Sequence, residues 1–317
     1  IVGVNRDPMG TGQGANLLAN VWGYCLGSPY TDAADVPVGL SHPRLIRDGV
    51  HQGVIEGGNQ SGIPYVGGWE FFDERYLGKP LVFCGTVGTL PRQSNGRPGY
   101  EKSIEPGDIV VMAGGRIGKD GIHGATFSSE ELHNDSPVQA VQIGDPITQK
   151  KLYDFTMEAR AQGLFRFITD NGAGGLSSSV GEMAEECNGV RLDLTEAPLK
   201  YAGLQPWEIL LSEAQERMSY AVPPADLEAL RTLAAKHEVE VTILGEFNDS
   251  GLFRVDYHGD CVACLDLEFL HHGYPRMQLQ ARWQPPQHAP VTRTLPDPGQ
   301  ALVTMAGRLN TCSGEQK

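Results

Sequence analysis

The sequence predicts a mixed α/β protein built from two domains, and three observations lead to that prediction. The chain has 317 residues, which is long enough for two domains of ordinary size. Apolar runs with strand character alternate along it with amphipathic stretches of helical period. A stretch rich in Gly, Pro, Ser and Asn, from Pro91 to Tyr100, separates the two halves. We therefore expect a first domain over residues 1–100, a second over 101–283, and a proline-rich linker beginning the segment 284–317.

Charge and composition exclude several classes of function. The net charge of −14, from 25 basic and 39 acidic residues, would repel nucleic acid, so no nucleic-acid polymer is expected as a partner. A single phosphate ligand remains compatible, because local N–H groups and metal ions can hold it. No apolar run approaches the ~18 residues of a membrane span, and no signal-peptide pattern opens the chain. We therefore predict a cytoplasmic protein that does not act at a membrane.

The six cysteines, at positions 25, 84, 187, 261, 264 and 312, are scattered along the chain. We interpret them as reduced thiols of a cytosolic protein. Two of them form the motif Cys261-Val-Ala-Cys264 on a predicted strand. Without a second pair to complete four ligands, packing in the core is favoured over a zinc or redox site, which stays open as the alternative.

In the first domain, Ile1–Val4 is an apolar run that predicts a strand, followed by a polar, glycine-rich loop to Gly14. The Gly10-x-Gly12-x-x-Ala15 spacing resembles a dinucleotide fingerprint only weakly, because the preceding strand is too short and an Asp-Pro pair interrupts the turn. Helices are predicted over 15–28 and 42–57, and strands over 63–66 and 80–87. The adjacent Arg6 and Asp7 offer a cation for phosphate and a hard oxygen ligand for a metal, although a solvated turn pair is the simpler interpretation.

The second domain contains the most informative stretch, Leu164 to Cys187. A buried strand is predicted around Phe167, with Asp170 at its end, then the turn Asn171–Gly175 and a helix capped by one of the serines 177–179. A carboxylate beside free backbone N–H groups suits a phosphate and its magnesium ion. The alternative is an ordinary turn with a capping aspartate.

The remaining elements of this domain follow from local patterns. Asp145 as N-cap and Pro146 at the first helical position predict a helix that ends before Gly163. Further strands are predicted over 108–113, 190–194, 218–222 and 239–247, a hairpin over 252–257 and 262–267, and helices over 207–212, 226–237 and 300–309.

The glycine-rich segment 114–129 is a weaker phosphate-binding candidate. It is not a Walker A loop, because Ala113 stands five residues before Gly118 and Asp120 occupies the Ser/Thr position. Its backbone N–H groups and the cations of Arg116 and Lys119 could still hold a phosphate. The predicted phosphate-binding residues are Gly115, Arg116, Gly118, Lys119 and Gly121. His123 is more simply a hydrogen-bonded strut than a catalytic base.

Six segments taken in order resemble phosphoribosylformylglycinamidine synthase, the amidotransferase family of purine synthesis. Each alone is moderately specific, and six in sequence make a specific signal. They are IVGVNRDPMG (1–10), FDERYLGKPL (72–81), GGRIGKDGIHGATFSS (114–129), VQIGDP (141–146), DNGAGGL (170–176) and LSEAQERM (211–218).

The resemblance implies a fold class of α+β followed by α/β, like that of aminoimidazole ribonucleotide synthetase. A partial N-terminal domain, of the kind that forms barrels by pairing in a homodimer, would precede a C-terminal α/β domain. The implied reaction is an ATP-dependent carbon–nitrogen ligation that converts formylglycinamide ribonucleotide (FGAR) and glutamine-derived ammonia to the amidine. The implied cofactors are Mg²⁺ and ATP.

Matching the motifs position by position implies roles for individual residues. Asp7 and Asp170 would hold magnesium, while Arg6, Gln142, Glu213, Ala214 and Gln215 would contact the substrate. Residues 213–215 match a tripeptide that usually contains serine in the middle. Ala214 lacks that hydroxyl, so only a backbone contact is expected from it.

The resemblance also implies parts that this sequence lacks. The family's His-Asn-His-Pro-Ser segment with the catalytic histidine is expected just upstream of Ile1, and a second pair of synthetase domains is expected after Asn310. We therefore expect a fragment without a catalytic residue of its own, inactive alone. Its expected partners are the remaining synthetase domains and a glutaminase domain or subunit.

Two other functions remain open at this stage. One is another ATP-using member of the superfamily, of the aminoimidazole ribonucleotide synthetase, selenophosphate synthetase or thiamine-phosphate kinase type. The other is a non-catalytic nucleotide-binding or assembly module. The run Leu-Ser-Glu-Ala-Gln-Glu-Arg at 211–217 favours the amidine synthase.

Overall fold

The computed structural model describes residues 2–124, 144–288 and 297–311. Its helices are α1 (Arg6–Met9), α2 (Pro43–Ser61), α3 (Pro146–Gln162), α4 (Gly175–Glu185), α5 (Pro206–Leu211), α6 (Leu227–Lys236), α7 (Leu267–His272) and α8 (Pro298–Ala306). Its strands are β1 (Asn16–Leu26), β2 (Tyr65–Phe72), β3 (Leu81–Thr89), β4 (Gln93–Ser94), β5 (Arg97–Pro98), β6 (Ile109–Gly114), β7 (Phe167–Asp170), β8 (Val190–Asp193), β9 (Arg217–Val222), β10 (Val241–Phe247), β11 (Leu252–Tyr257) and β12 (Asp260–Asp266).

The chain divides into two compact units. One comprises Ile1–Trp22, Asp48–Gly68 and Phe83–His272, and the other comprises Gly23–Arg47, Trp69–Val82 and Gly273–Lys317. The domain limits predicted from the sequence, at residues 100 and 283, stay a prediction.

A seven-stranded sheet organises the first unit. Its strand order is β12-β11-β8-β10-β6-β9-β7, so β7 and β12 lie at opposite edges. Neighbouring strands are antiparallel except β8 and β11, which run parallel. The carboxyl end of β7, where Asp170 stands, is therefore at one edge of the sheet.

Helices cover both faces of this sheet, because successive side chains of its central strands point to opposite sides. In β6, Val110 and Met112 join one core, which includes apolar side chains of α4. Val111 and Ala113 join a second core, which includes side chains of α3 and α6. These four side chains are all buried, as expected for a strand covered on both faces.

The predicted boundaries of α3 are confirmed by its two caps. The Asp145 carboxylate accepts hydrogen bonds from the backbone N–H groups of Ile147 and Thr148, and Pro146 occupies the first helical position. Gly163 ends the helix in the left-handed region, with φ of 71°. The hairpin predicted after residue 252 is also confirmed, as β11 and β12.

Three predictions of local structure are wrong. Residues 15–28 do not form a helix: Asn16–Leu26 is strand β1, paired between β2 and β3. The strand predicted over Ile1–Val4 is absent from its described residues, because Gly3–Asn5 forms a 3₁₀ turn that leads directly into α1. Serines 177–179 do not cap a helix, because α4 begins earlier, at Gly175. In each case contacts distant in sequence override the local pattern.

The N-terminal part of the chain forms a three-stranded sheet of order β2-β1-β3. Within the described residues this sheet does not close into a barrel. At the edge strand β2, the side-chain amide of Asn310 donates to the carbonyl of Phe72 at 2.8 Å and its oxygen accepts from the Phe72 N–H at 2.7 Å. None of the helices in the described part of the chain is long and apolar enough to cross a bilayer.

Candidate functional site

Five of the residues predicted to bind substrate or metal line a single cleft of about 550 Å³ in the first compact unit. They are Arg6, Asp7, Asp170, Glu213 and Gln215. A cleft of this volume accommodates a ligand the size of a nucleotide. The structure thus brings together side chains from α1, from the end of β7 and from the segment that joins α5 to β9.

Asp7 and Asp170 come together because α1 packs tightly against β7. A Cβ atom on Gly10 would lie 3.1 Å from the backbone nitrogen of Asp170, so the missing side chain permits the close approach. The Lys102 ammonium donates to the carbonyls of Gly10, at 2.7 Å, and of Ile168, at 2.8 Å. Lys102 therefore ties the end of α1 to β7 and fixes the position of Asp7.

The two aspartates carry like charges, which repel each other. Asp7 stands at the mouth of the cleft, where neighbouring protein atoms partly desolvate its carboxyl group. This desolvation raises the pKa of Asp7, the negative charge of Asp170 raises it further, and the Arg6 guanidinium lowers it. Paired carboxylates of this kind are stabilised by a divalent cation between them.

Glycines after Asp170 shape the next part of the cleft. A Cβ on Gly172 would lie 2.9 Å from a carboxylate oxygen of Asp170, and one on Gly175 would lie 2.1 Å from the Ser212 carbonyl oxygen. Gly174 and Gly175 both adopt positive φ angles, of 77° and 56°, and start α4 without any side-chain cap. The turn, in which Gly172 and Ala173 line the cleft, therefore leads into the positive end of the α4 helix dipole.

Arg6 supplies a buried cation beside this turn. Its side chain is 4% exposed, and Nη1 donates to the Asn171 carbonyl at 3.1 Å. Its Nε has no hydrogen-bond partner among the described residues. A buried guanidinium with an unsatisfied N–H group is suited to binding an anion such as a phosphate.

Glu213 and Gln215 face the cleft from the segment before β9. A carboxylate oxygen of Glu213 accepts from the Gly174 N–H at 3.3 Å, which places a negative group at the start of α4. The side-chain oxygen of Gln215 has no partner among the described residues, and a Cβ on Gly3 would lie only 2.9 Å from it. Gly3 therefore makes room for the Gln215 amide at the edge of the cleft.

Arg217 holds that segment in place from beneath. It is fully buried, with Nε donating to the Ala214 carbonyl at 2.9 Å and Nη2 to the Ser212 carbonyl at 2.5 Å. Burial and the nearby charge of Arg6 lower the pKa of Arg217 to about 9. The guanidinium thus fixes the backbone that carries Glu213 and Gln215.

Glu216 is a buried carboxyl group next to this segment. Burial raises its pKa to about 7, against the opposing effects of an Asp145 backbone N–H and of Arg6. One of its carboxylate oxygens has no partner among the described residues. Its backbone φ of 57° lies in the left-handed region, and its carbonyl accepts from the Gly115 N–H at 2.8 Å.

The predicted phosphate loop lies apart from this cleft. Arg116 pairs with Glu240 at 2.8 Å and Lys119 with Glu208 at 2.9 Å, so both of its cations already have carboxylate partners. Among Gly115, Arg116, Gly118, Lys119 and Gly121, none lines the cleft of Asp7 and Asp170. Gly115 and Arg116 instead line a separate cavity of about 250 Å³. Their role in binding a phosphate stays a prediction.

The other predicted positions are placed as follows. Ala214 is buried, its N–H donates to the Ser212 hydroxyl, and it does not line the cleft. Gln142 lies outside the described residues. His123 is exposed with φ of 62°, next to Gly124, which lines the cleft.

The carboxylates suit magnesium better than a metal held entirely by protein. Within the described ranges, no group of three or more His, Cys, Asp or Glu side chains is placed to hold a metal ion. Mg²⁺ is usually bound by one or two carboxylates together with phosphate oxygens and water. The pair Asp7 and Asp170, with an anion site beside it, fits that pattern.

Sequence reasoning missed several residues that build the site. Lys102 stands outside every recognised motif and carried no signal. Arg217 and Asn171 lay within the recognised segments, but nothing in the pattern showed that they are buried. The Asn171 side-chain oxygen accepts from the hydroxyls of Ser179 and, at 2.8 Å, Ser219, which fixes the turn after Asp170.

Comparison with known proteins identifies the family. The model of the AIR synthase related protein, C-terminal domain, matches residues 105–258. The phosphoribosylformylglycinamidine synthase subunit PurL of Methanopyrus kandleri is 38% identical over 260 residues, which make up 81% of this chain and 35% of the relative. PurL of Thermoplasma acidophilum is 35% identical over 317 residues, 99% of this chain and 41% of the relative. The chain is a PurL-like member of the AIR synthase superfamily.

Solved structures agree with that assignment and confirm the predicted fold class. Thermotoga maritima PurL complexed with FGAR matches with a TM-score of 0.70 and 28% identity, covering 88% of this chain and 43% of that one. The complex of the same protein with ATP matches with a TM-score of 0.66 and 26% identity, covering 91% and 42%. The chain thus spans less than half the length of these PurL relatives.

Proposed function

We propose that this chain forms part of an ATP-dependent carbon–nitrogen ligase of purine biosynthesis. The reaction converts FGAR and glutamine-derived ammonia to formylglycinamidine ribonucleotide. ATP phosphorylates the amide oxygen, ammonia adds to the activated carbon, and phosphate leaves. The observation that carries the proposal is the convergence of Arg6, Asp7, Asp170, Glu213 and Gln215 on one cleft.

The charges in the cleft suit phosphoryl transfer, in which catalysis is mainly positioning and electrostatic stabilisation. Mg²⁺ held by Asp7 and Asp170 would neutralise phosphate oxygens. Arg6 offers its unsatisfied N–H to an anionic oxygen, and the positive end of the α4 helix dipole favours the same negative charge. Relatives whose solved complexes contain FGAR and ATP support the same pair of ligands.

Glu213 and Gln215 are proposed to orient the substrate amide. The Gln215 side-chain oxygen is buried and unpartnered in the described structure, so a ligand N–H group would satisfy it. Glu213 is already anchored to the Gly174 N–H, which fixes its direction toward the cleft. The two side chains would thus recognise polar groups rather than act as nucleophiles.

The proposal includes partners, because the chain matches only 35% and 41% of the length of the two PurL relatives named above. It requires further synthetase domains and a source of ammonia, the glutaminase, for turnover. We accordingly propose that the chain alone makes no product, that it works in the cytoplasm, and that its N-terminal sheet pairs with a second copy. Amidine formation by the isolated chain from ammonia, ATP and FGAR would contradict the first of these points.

Calorimetric titration tests the assignment of the cleft. FGAR should bind the full chain in the presence of Mg²⁺ and a non-hydrolysable ATP analogue, and Asp170→Asn should weaken binding at least about tenfold because the metal loses a charged ligand. The control is Asp260→Asn, the same chemical change at an exposed residue of β12, on the opposite edge of the sheet.

Three outcomes would redirect the proposal. Equal FGAR binding by Asp170→Asn and the wild type would place the ligand elsewhere. Preferential thermal stabilisation by the substrate of another superfamily enzyme would change the substrate class. No stabilisation by any phosphoribosyl ligand or Mg-nucleotide would favour an assembly module.

A further inference from the structure

The two cysteines of the CxxC motif lie on the same face of the edge strand β12. They are three positions apart, and in a regular strand such residues point to opposite faces. The register with β11 shows why these do not: Cys264 pairs with Arg254 and Cys261 with Asp256, so β12 contains one extra residue between them. This β-bulge turns both thiols to one side.

Both thiols are accessible, contrary to the packing in the core that the sequence favoured. Cys261 and Cys264 are exposed free cysteines, whereas Cys187 is buried and Cys84 is half-buried. The apolar core lies on the other face of the sheet here, where Phe253 and Val255 point. Packing therefore does not account for the motif.

The thiols face a cluster of charged groups on β8 and β11. Arg254 and Arg191 are neighbours across the parallel pair of strands. Both donate to the carboxylate of Asp256, at 2.9 Å and 2.6 Å. Two guanidinium groups thus share one carboxylate on the face of the sheet to which the thiols point.

The two thiols also act electrostatically on one neighbouring cation. The pKa of Arg254 is raised first by its hydrogen bond to Asp256 and by that carboxylate's charge. The charges of Cys261 and Cys264 both raise it further. Both sulfur atoms therefore lie within electrostatic range of a single guanidinium.

The spacing suits a metal ion better than a disulfide. Two residues of extended strand separate the register positions opposite Cys261 and Cys264, or about 6.8 Å along the strand. That distance is the upper limit for the Cα atoms of a disulfide, which are usually about 5.5–6 Å apart. Thiolates bound to one cation at ~2.3 Å each need not approach so closely.

We propose that Cys261 and Cys264 bind one soft, thiophilic cation of the Zn²⁺, Cd²⁺ or Cu⁺ class at this edge of the sheet. Each thiol gives its proton to solvent when it coordinates the metal. Within the described residues no third His, Cys, Asp or Glu completes the site, so water fills the remaining positions. The site is distinct from the cleft, which lies at the opposite edge, by β7.

Cadmium is the probe for the test, with alkylation by iodoacetamide and mass spectrometry as the first readout. On the reduced full chain, Cd²⁺ should slow the alkylation of Cys261 and Cys264 together by at least about tenfold. Cys84 of the same chain is the internal control and should react at an unchanged rate. This measurement needs no variant, so folding of a mutant does not affect it.

Variants give the second readout, the ultraviolet absorption of the thiolate–cadmium bond. Cys261→Ser and Cys264→Ser should each reduce the absorption and weaken cadmium binding at least about tenfold, because one thiolate holds the ion poorly. Cys84→Ser should bind as the wild type does. Three results would overturn the proposal. The first is that cadmium protects only one of the two thiols, and the second is that either serine variant binds cadmium as tightly as the wild type. The third is that the two cysteines form a disulfide rapidly and that the chain, once reduced again, binds no metal.

Discussion

Asp7 and Asp170 meet in one cleft, where partial desolvation raises the pKa of Asp7 and the charge of Asp170 raises it further. The two residues belong to α1 and β7, and no local pattern connects them. Holding like charges together costs free energy, which a divalent cation would offset. The residues that maintain this arrangement should therefore control both stability and ligand binding.

Lys102 should control ligand binding although it does not line the cleft. Lys102→Met removes the two hydrogen bonds that join Gly10 to Ile168, so α1 loses its fixed position beside β7. We expect a loss of about 1–3 kcal/mol in the free energy of unfolding and weaker binding of Mg²⁺ and FGAR. Urea denaturation and calorimetry measure the two effects. Lys151→Met, which breaks only an exposed pair with Glu238, should change neither by much.

Glu216 should make stability depend on pH. Its folded-state pKa of about 7 lies above the ordinary value of 4.5, so its ionisation opposes folding. This cost is absent below about pH 4.5 and complete above about pH 7. Glu216→Gln should therefore match the wild type near pH 4 and be more stable by up to about 3 kcal/mol at pH 8.

The check on Glu216 is urea denaturation at several pH values. The exposed substitution Glu182→Gln is the control and should show no comparable change with pH. A constant difference between Glu216→Gln and the wild type across this range would contradict the buried, titrating carboxyl group.

Two glycine substitutions should have opposite effects. Gly175→Ala places a Cβ 2.1 Å from the Ser212 carbonyl oxygen at a φ of 56°, so it should lose more than about 2 kcal/mol and disturb the segment of Glu213. Gly53→Ala in α2 meets no atom within 4 Å and should gain about 0.5–1 kcal/mol. Thermal denaturation of both variants measures the contrast, and a stable Gly175→Ala would refute the close contact.

Arg217 should support the cleft through the backbone alone. Arg217→Met leaves the carbonyls of Ser212 and Ala214 unpaired in the core, at a cost of about 2–4 kcal/mol. FGAR binding should weaken as well, because Glu213 and Gln215 lie on the same segment. Arg231→Met, an exposed residue paired with Glu228, should cost under about 1 kcal/mol. Normal stability of Arg217→Met would show that the guanidinium is dispensable.

The elements with strong end signals could be predicted from the sequence. Helix α3 begins and ends where Asp145, Pro146 and Gly163 indicate, because these residues act through local backbone chemistry. Strand β1 was wrongly predicted as a helix, since its leucines and alanines fit both periods and pairing with two strands decides the outcome. The turn at Gly3–Asn5 was likewise decided by distant contacts, among them Gly3 with Gln215.

Some residues of the candidate site could likewise be predicted from the sequence, and others could not. Asp7, Asp170, Glu213 and Gln215 were found through the family resemblance, and the structure brings them to one cleft. Lys102, Arg217 and the unsatisfied carboxyl of Glu216 act through burial and tertiary hydrogen bonds, which no motif encodes. The phosphate loop looked plausible from its glycines and cations, but ion pairs with Glu208 and Glu240 occupy those cations.

The carboxamide of Asn310 substitutes for one residue of an additional strand. By engaging both the N–H and the carbonyl of Phe72, it fills one rung of hydrogen bonding along the outer margin of β2. Margins of this type attract the backbones of other molecules and seed aggregation. The segment around Asn310 therefore protects this strand edge. A chain shortened before Asn310 is expected to self-associate more readily in solution.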